Sequence, residues 1–227
     1  MKVLVLMSGG LDSTTLAKDL QVKGAKVEGV FFEYGSTHEQ REKYAFMEIV
    51  TDLGIRPHML TLDTGVFEGS ESSLLSGSKI PETPYDLANV SSTVVPFRNA
   101  ILISMAVAFA LSNDFDAVAI ANHATDAANW AYPDCTPEFT GAMGAAVYVS
   151  TKHKVRLLAS YGWMTKAEVV QRAAKVHAPL ELTWSCYKGG DIACGVCPTC
   201  RERINAFRNA SFIDPVSYNL VIKWHGC

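Results

Sequence analysis

Ser8-Gly9-Gly10-Leu11-Asp12-Ser13 follows the apolar run Lys2-Val3-Leu4-Val5-Leu6-Met7. An apolar run without alternation suits a parallel strand buried on both faces. Helix-like sequence resumes at Ser13, with Leu16 and Leu20 on one face. The stretch therefore reads strand, glycine turn, helix. Paired glycines let the backbone close on a ligand and turn its amides inward. The new helix presents its positive end to the same place. Ser8, Ser13 and Thr14 bring hydroxyls that can donate to an anion. Asp12 repels phosphate, so its expected task is to hold a magnesium ion or to order the loop amides.

The third spaced glycine of a dinucleotide fingerprint is missing, and so is the Gly-Lys-Ser/Thr of a Walker A loop. The residues resemble instead the SGGxDS pyrophosphate loop of the N-type ATP pyrophosphatases. That resemblance implies ATP as co-substrate. An oxygen of the second substrate is adenylated, pyrophosphate leaves, and a nucleophile displaces AMP. Ser8, Gly9, Gly10, Leu11, Asp12, Ser13 and Thr14 are then the nucleotide-binding set.

Bulk composition agrees with a globular protein. The chain has 227 residues, 48% hydrophobic and 19% charged, which excludes a disordered chain. A net charge of −3 gives no basic footprint for stable nucleic-acid binding. The longest apolar stretch, Ala100 to Leu111, is too short to span a bilayer and reads as a buried helix. No signal peptide is recognisable after Lys2, so a cytoplasmic location is expected. Six cysteines are present, four of them between Cys186 and Cys200. Without an export signal that cluster suggests metal rather than disulfides.

The remaining periodicity predicts an α/β fold with a doubly wound, parallel, five-stranded sheet. Strands are expected at Lys26–Phe32, His58–Leu62, Ala117–Ile120 and Val155–Leu158, besides the first. Helices are expected from Glu39 to Leu53, ended by Gly54, and from Pro137. Another runs from Lys166 to Val176, capped by Thr165. The alternation implies right-handed crossovers and a ligand site at the strands' C-terminal ends. Asp63 to Ser92 shows no sustained periodicity and is the candidate cover of that site. The organisation expected is a nucleotide-binding domain over 1–180, a metal-binding segment over 181–210 and a tail over 211–227.

Cys186, Cys194, Cys197 and Cys200 form C-x7-C-x2-C-x2-C. Four thiolates satisfy tetrahedral zinc and leave no open position, so the role is structural. An iron–sulfur cluster is the rival. Arg98 stands at a helix start near the strand tips, placed for a phosphate or a carboxylate. Lys166 opens a helix, where its charge opposes the dipole and calls for a compensating anion such as phosphate. His123, Asp126, Tyr132, Asp134 and Cys135 follow the fourth strand. Asp126 or Asp134 suits a guanine-like N–H pair or a general base. His123 reads as a polar loop residue and Cys135 as packing. His38 and Glu39 either flank the nucleotide or begin a helix.

Taken in order, SGGLDSTT, FFEYGSTHEQRE, VPFRN, YPDC, the Trp163-Met164-Thr165-Lys166 helix start and the four cysteines resemble the 7-cyano-7-deazaguanine synthase family. The likeness runs from about residue 2 to about residue 207. It implies an adenine nucleotide alpha hydrolase-like domain with a small zinc-binding segment. It also implies the substrates 7-carboxy-7-deazaguanine, ammonia and ATP, with Mg2+ and Zn2+, in a homodimer. Carried over, Asp12, Arg98, Lys166 and Asp134 are the catalytic candidates, and the cysteines hold zinc. Thr136 stands where relatives carry arginine. Two alternatives are enzymes: an amide-forming relative that stops at 7-amido-7-deazaguanine, and a tRNA-modifying pyrophosphatase. A third is a non-catalytic nucleotide-binding module.

Overall fold

The computed structural model describes residues 1–82, 90–128 and 131–224. Five strands, β1 (Lys2–Leu6), β2 (Lys26–Glu33), β3 (Arg56–Thr61), β4 (Ala117–Ala119) and β5 (Arg156–Leu158), make one sheet. Its order is β3-β2-β1-β4-β5 and every neighbouring pair is parallel. Val3, Leu4 and Val5 of β1 and all of β4 are fully buried, as central strands of a covered sheet must be.

Eight α-helices are described. They are α1 (Leu11–Val22), α2 (Glu39–Asp52), α3 (Ser73–Ser76), α4 (Arg98–Ser112), α5 (Ala124–Ala127), α6 (Pro137–Ser150), α7 (Lys166–Val176) and α8 (Pro198–Asn209). The chain works outward from β1 to β3 on one side, then crosses back to β4 and β5 on the other. Right-handed crossovers then set α1 and α2 on one face and α4 and α6 on the opposite one. The crevice between the C-terminal ends of β1 and β4 is the point where strand order reverses, the usual ligand position in such sheets.

Several expectations need correction. α1 begins at Leu11, two residues before the periodicity suggests, so its positive end abuts the glycine turn directly. The helix of the long apolar stretch is buried on one side only. Ile103, Ala106 and Ala110 are sealed against the core, whereas Leu111 is 41% exposed, because one layer of helix covers the sheet there. Asp63 to Ser92 is not without structure. Thr64–Phe67 forms a 3-10 turn, and Phe67, Leu74 and Ile80 are buried. The Ser73 hydroxyl donates to the Ser92 carbonyl. Residues 83–89 of this candidate cover lie outside the described residues.

The last segment packs on the rest rather than trailing from it. α8 lies against α7. Beyond α8 the chain returns, and Tyr218 bridges to Ala193. Arg203 and Asp214 form a buried bidentate pair at 2.7 and 2.9 Å. His225 and Cys227 lie outside the described residues.

Candidate active site

Gly9 takes φ +75°, a left-handed conformation that favours glycine. A Cβ there would also lie 2.6 Å from the Glu42 carbonyl oxygen and 2.9 Å from the Phe46 amide of α2. The loop is thus pressed against backbone, and only glycine fits. Beyond it opens a cavity of about 290 Å³ lined by Ser8, Gly10, Asp12 and Ser13 of the loop. Arg98 of α4, Lys166 of α7 and Glu202 of α8 complete its polar walls. Helix N-termini and glycine amides converge there on one volume, a setting for phosphate.

The loop residues do not all face the cavity. Thr14 is fully buried, and its hydroxyl donates to the Gly10 carbonyl at 2.8 Å, so it is spent inside the helix. Ser13 makes a longer bond to the same oxygen at 3.3 Å. Gly9 shapes the loop from behind.

Asp12 anchors a charged cluster. Lys166 Nζ lies 3.2 Å from Asp12 Oδ2 and 2.7 Å from Glu202 Oε2. The anion that compensates Lys166 at its helix start is therefore a pair of carboxylates. Burial alone would push the Asp12 carboxyl up, but the Lys166 ammonium and His123 overcome it and hold Asp12 well below the usual range. Lys166 is raised by the two carboxylates despite its burial. Asp12 Oδ1 is buried without a hydrogen-bond partner, an orphan that suits a cation.

His123 corrects its reading as a loop residue. It is fully buried, with Nε2 3.4 Å from Asp126 Oδ2 and 3.7 Å from Asp12 Oδ2. The Asp126 amide donates to Nδ1 at 3.3 Å. Nδ1 is thereby the acceptor and the proton sits on Nε2, which lies near the two carboxylates without a hydrogen bond to either. His123, Asp126 and Glu202 stand close enough to share a metal ion, but this tautomer withholds the imidazole lone pair from it. Burial, helped by the charges of Glu202 and Asp12 and opposed by His123, pushes Asp126 up to about 6.

Arg98 donates to the Tyr34 hydroxyl at 3.4 Å. Among the described residues no carboxylate lies within salt-bridge distance of it, and it lines the cavity. Asp134 does not line that cavity. Its carboxylate accepts from the Asn99 amide at 3.2 Å, capping α4, and Asn99 returns a bond to the Asp134 carbonyl at 3.3 Å. YPDC therefore acts as a bracket on the start of α4, which carries Arg98. Burial pushes the Cys135 thiol up, and the nearby carboxylates add to this, so it stays protonated and packs. Thr136 caps α6 by accepting from the Phe139 amide at 3.2 Å.

The four cysteines converge, with their sulfurs within 4.8 Å of one another. Cys194 and Cys200 sulfurs are 3.9 Å apart. Two sulfurs at ~2.3 Å from a tetrahedral zinc would be separated by about 3.8 Å, so the set fits. Cys197 and Cys186 are almost fully buried, which closes the site to substrate.

Glu202 went unnoticed in the sequence. It stands two residues beyond the last cysteine, and only the turn of α8 aims it at the loop. Tyr187, whose ring lies 4.9 Å from that of His38 on the cavity wall, was equally hidden.

Parallel strands ordered around a reversal point, with the SGGxDS loop, Arg98 and Lys166 on the cavity at that point, define a doubly wound α/β domain. A crystal structure described as a predicted subunit of tRNA methyltransferase from Methanocaldococcus jannaschii shares this fold. It has a TM-score of 0.51 and 16% identity, covering 77% of this chain and 74% of that one. Within the class the chain belongs to the QueC family, described as queuosine biosynthesis protein QueC, whose model matches residues 2–211. A relative from Caldicellulosiruptor bescii, named 7-cyano-7-deazaguanine synthase, is 36% identical over 99% of this chain and 100% of its own length. One from Porphyromonas gingivalis with the same name is 40% identical over 95% of this chain and 96% of its own.

Proposed function

We propose that this chain is a 7-cyano-7-deazaguanine synthase, an ATP-dependent ligase that forms the C–N bond of a nitrile. The carboxylate oxygen of 7-carboxy-7-deazaguanine attacks the α-phosphorus of ATP, and pyrophosphate leaves. Ammonia then displaces AMP to give the amide. The amide oxygen attacks a second ATP in the same way. Loss of AMP and of the amide protons leaves the nitrile. One loop serves both adenylations because both are attacks of oxygen on the same phosphorus.

The observation that carries this reading is one cavity walled by the glycine loop, Arg98 and the Lys166 cluster. The loop amides, Ser8 and Ser13 take the pyrophosphate. Arg98 steadies negative oxygen on the substrate carboxylate or the α-phosphate, and Asp134 acts through Asn99 to fix it. Asp126 faces the cavity and is the base for the amide protons. Asp12, with its orphan oxygen, would hold magnesium, which supplies charge neutralisation at the phosphates. The cysteines would hold zinc as a structural group. A homodimer belongs to the same reading. α6 is apolar, yet only Thr140 and Val147 in it are buried, and Val149 is 69% exposed.

The test is product mass spectrometry after incubation with ATP, ammonium and 7-carboxy-7-deazaguanine. A nitrile with two AMP per product is expected, with some free amide on the way. One AMP per product and no nitrile from added amide would make the chain an amide-forming enzyme instead. No pyrophosphate release would remove the reading.

A further inference from the structure

Lys166 is held by two carboxylates of different origin. Asp12 belongs to the proposed nucleotide loop, and Glu202 belongs to α8, which has Cys197 at its N-cap and Cys200 in its first turn. The Lys166 side chain is 11% exposed and that of Glu202 15%, so the pair at 2.7 Å is shielded from solvent. The Lys166 amide is fixed separately by the Thr125 hydroxyl at 3.0 Å. Backbone and ammonium group thus have independent anchors.

The two hold on the ammonium unequally. Asp12 lines the cavity, and any cation that engages it competes with Lys166. A cation on Asp12 repels the ammonium, and a phosphate attracts it elsewhere. Glu202 stands off the loop and makes the shorter of the two pairs, 2.7 Å against 3.2 Å. We infer that Glu202 is a positioning residue for the reaction: it keeps Lys166 at the glycine loop once Asp12 is engaged. This rests on the proposed role of Lys166 at the phosphates. It also gives the closed metal centre a route to the chemistry, since the segment that orders the sulfurs delivers Glu202.

The inference separates binding from turnover. Free enzyme has both anchors, so Glu202→Gln should leave the KM for ATP within about twofold. Bound enzyme relies on Glu202, so kcat for pyrophosphate release should fall roughly tenfold, the effect of one lost charged hydrogen bond. Zinc content and thermal midpoint should match the parent, and Glu202→Asp should recover part of the rate. Added to Lys166→Met, Glu202→Gln should cost nothing more, because it acts only through Lys166. With magnesium and α,β-methylene-ATP bound, labelling of Lys166 by an amine-reactive reagent, read by peptide mass spectrometry, should rise severalfold in Glu202→Gln, whereas nucleotide-free protein, in which Asp12 still holds the ammonium, should label like the parent. Parental kcat in Glu202→Gln, a further loss in the Lys166→Met background, or unchanged labelling of the nucleotide complex would each overturn the inference. An inactive parent enzyme would instead sink the proposed function, and the labelling arm would still decide whether Glu202 holds Lys166.

Discussion

The Trp184 amide donates to the Gly9 carbonyl at 2.9 Å, so the approach to the metal segment is tied to the pyrophosphate loop. The Trp184 indole in turn donates to the Cys186 carbonyl at 2.8 Å. Two hydrogen bonds therefore link the loop to the first cysteine. A second link, through Lys166 and Glu202, runs from the last cysteines to the same loop.

This coupling predicts what metal loss does. Purified protein should carry about one zinc per chain by elemental analysis. Cys197→Ser should lose that zinc and lower the thermal midpoint by more than about 5 °C. Weakened ATP binding should accompany it, since Trp184 no longer braces the loop. Stoichiometric iron with visible absorption would refute the zinc assignment.

Asp12→Ala should cut pyrophosphate release by at least ~100-fold and leave the far-ultraviolet spectrum unchanged. The loop is shaped by Gly9 and by backbone bonds, and Lys166 retains Glu202, so the fold has no need of Asp12. Near-parental turnover in this variant would remove the loop from the chemistry.

Asp126 predicts a pH-dependent stability in the nucleotide-free protein. Its folded pKa, up to about 6 because of burial, exceeds the unfolded value of 3.8. Between these values the folded chain keeps a proton that the unfolded chain has lost, so stability falls as pH rises from about 4 to 6. Above that range the full penalty stands, on the order of 1–3 kcal/mol. Asp126→Asn should thus raise the thermal midpoint at pH 7.5 and leave it unchanged at pH 4. A variant less stable than the parent at pH 7.5 would contradict the assignment.

Arg203 and Asp214 predict the largest stability effect outside the metal centre. Every polar atom of the pair has a partner: Thr183, Ser185 and the Leu180 carbonyl for the guanidinium, Tyr218 and the Val216 amide for the carboxylate. Removing one member leaves a buried charge, so Asp214→Ala should cost about 3–5 kcal/mol in denaturant unfolding. Arg203→Met combined with Asp214→Leu should recover much of that loss.

The fold was legible because β1, the glycine turn and the alternating apolar runs each obey one local rule. Thr165 and Pro137 marked their helix starts for the same reason, and Thr165 makes the full capping box with Glu168. The loop, Arg98, Lys166 and the four cysteines were legible as motifs. Glu202 and His123 were not, because their meaning lies in partners far along the chain. His123 touches Asp12 across more than a hundred positions, and local pattern carries no trace of it. Asp134 was read in the right motif with a different task, since a carboxylate capping a helix and one meeting a substrate look alike in sequence. Thr14 failed similarly: a hydroxyl in the first turn serves a ligand or the preceding carbonyl, and only geometry chooses.

The cavity takes Ser8 from the beginning of the chain and Glu202 from near its other end. During synthesis the strand and glycine loop emerge early, while the cysteines and α8 are still to be made. Until then the loop has neither its Trp184 brace nor a fully held Lys166. A nascent chain can therefore lay down the sheet before α8 completes the cavity wall. The proposed site for ATP would thus be completed only once α8 and the four cysteines are in place.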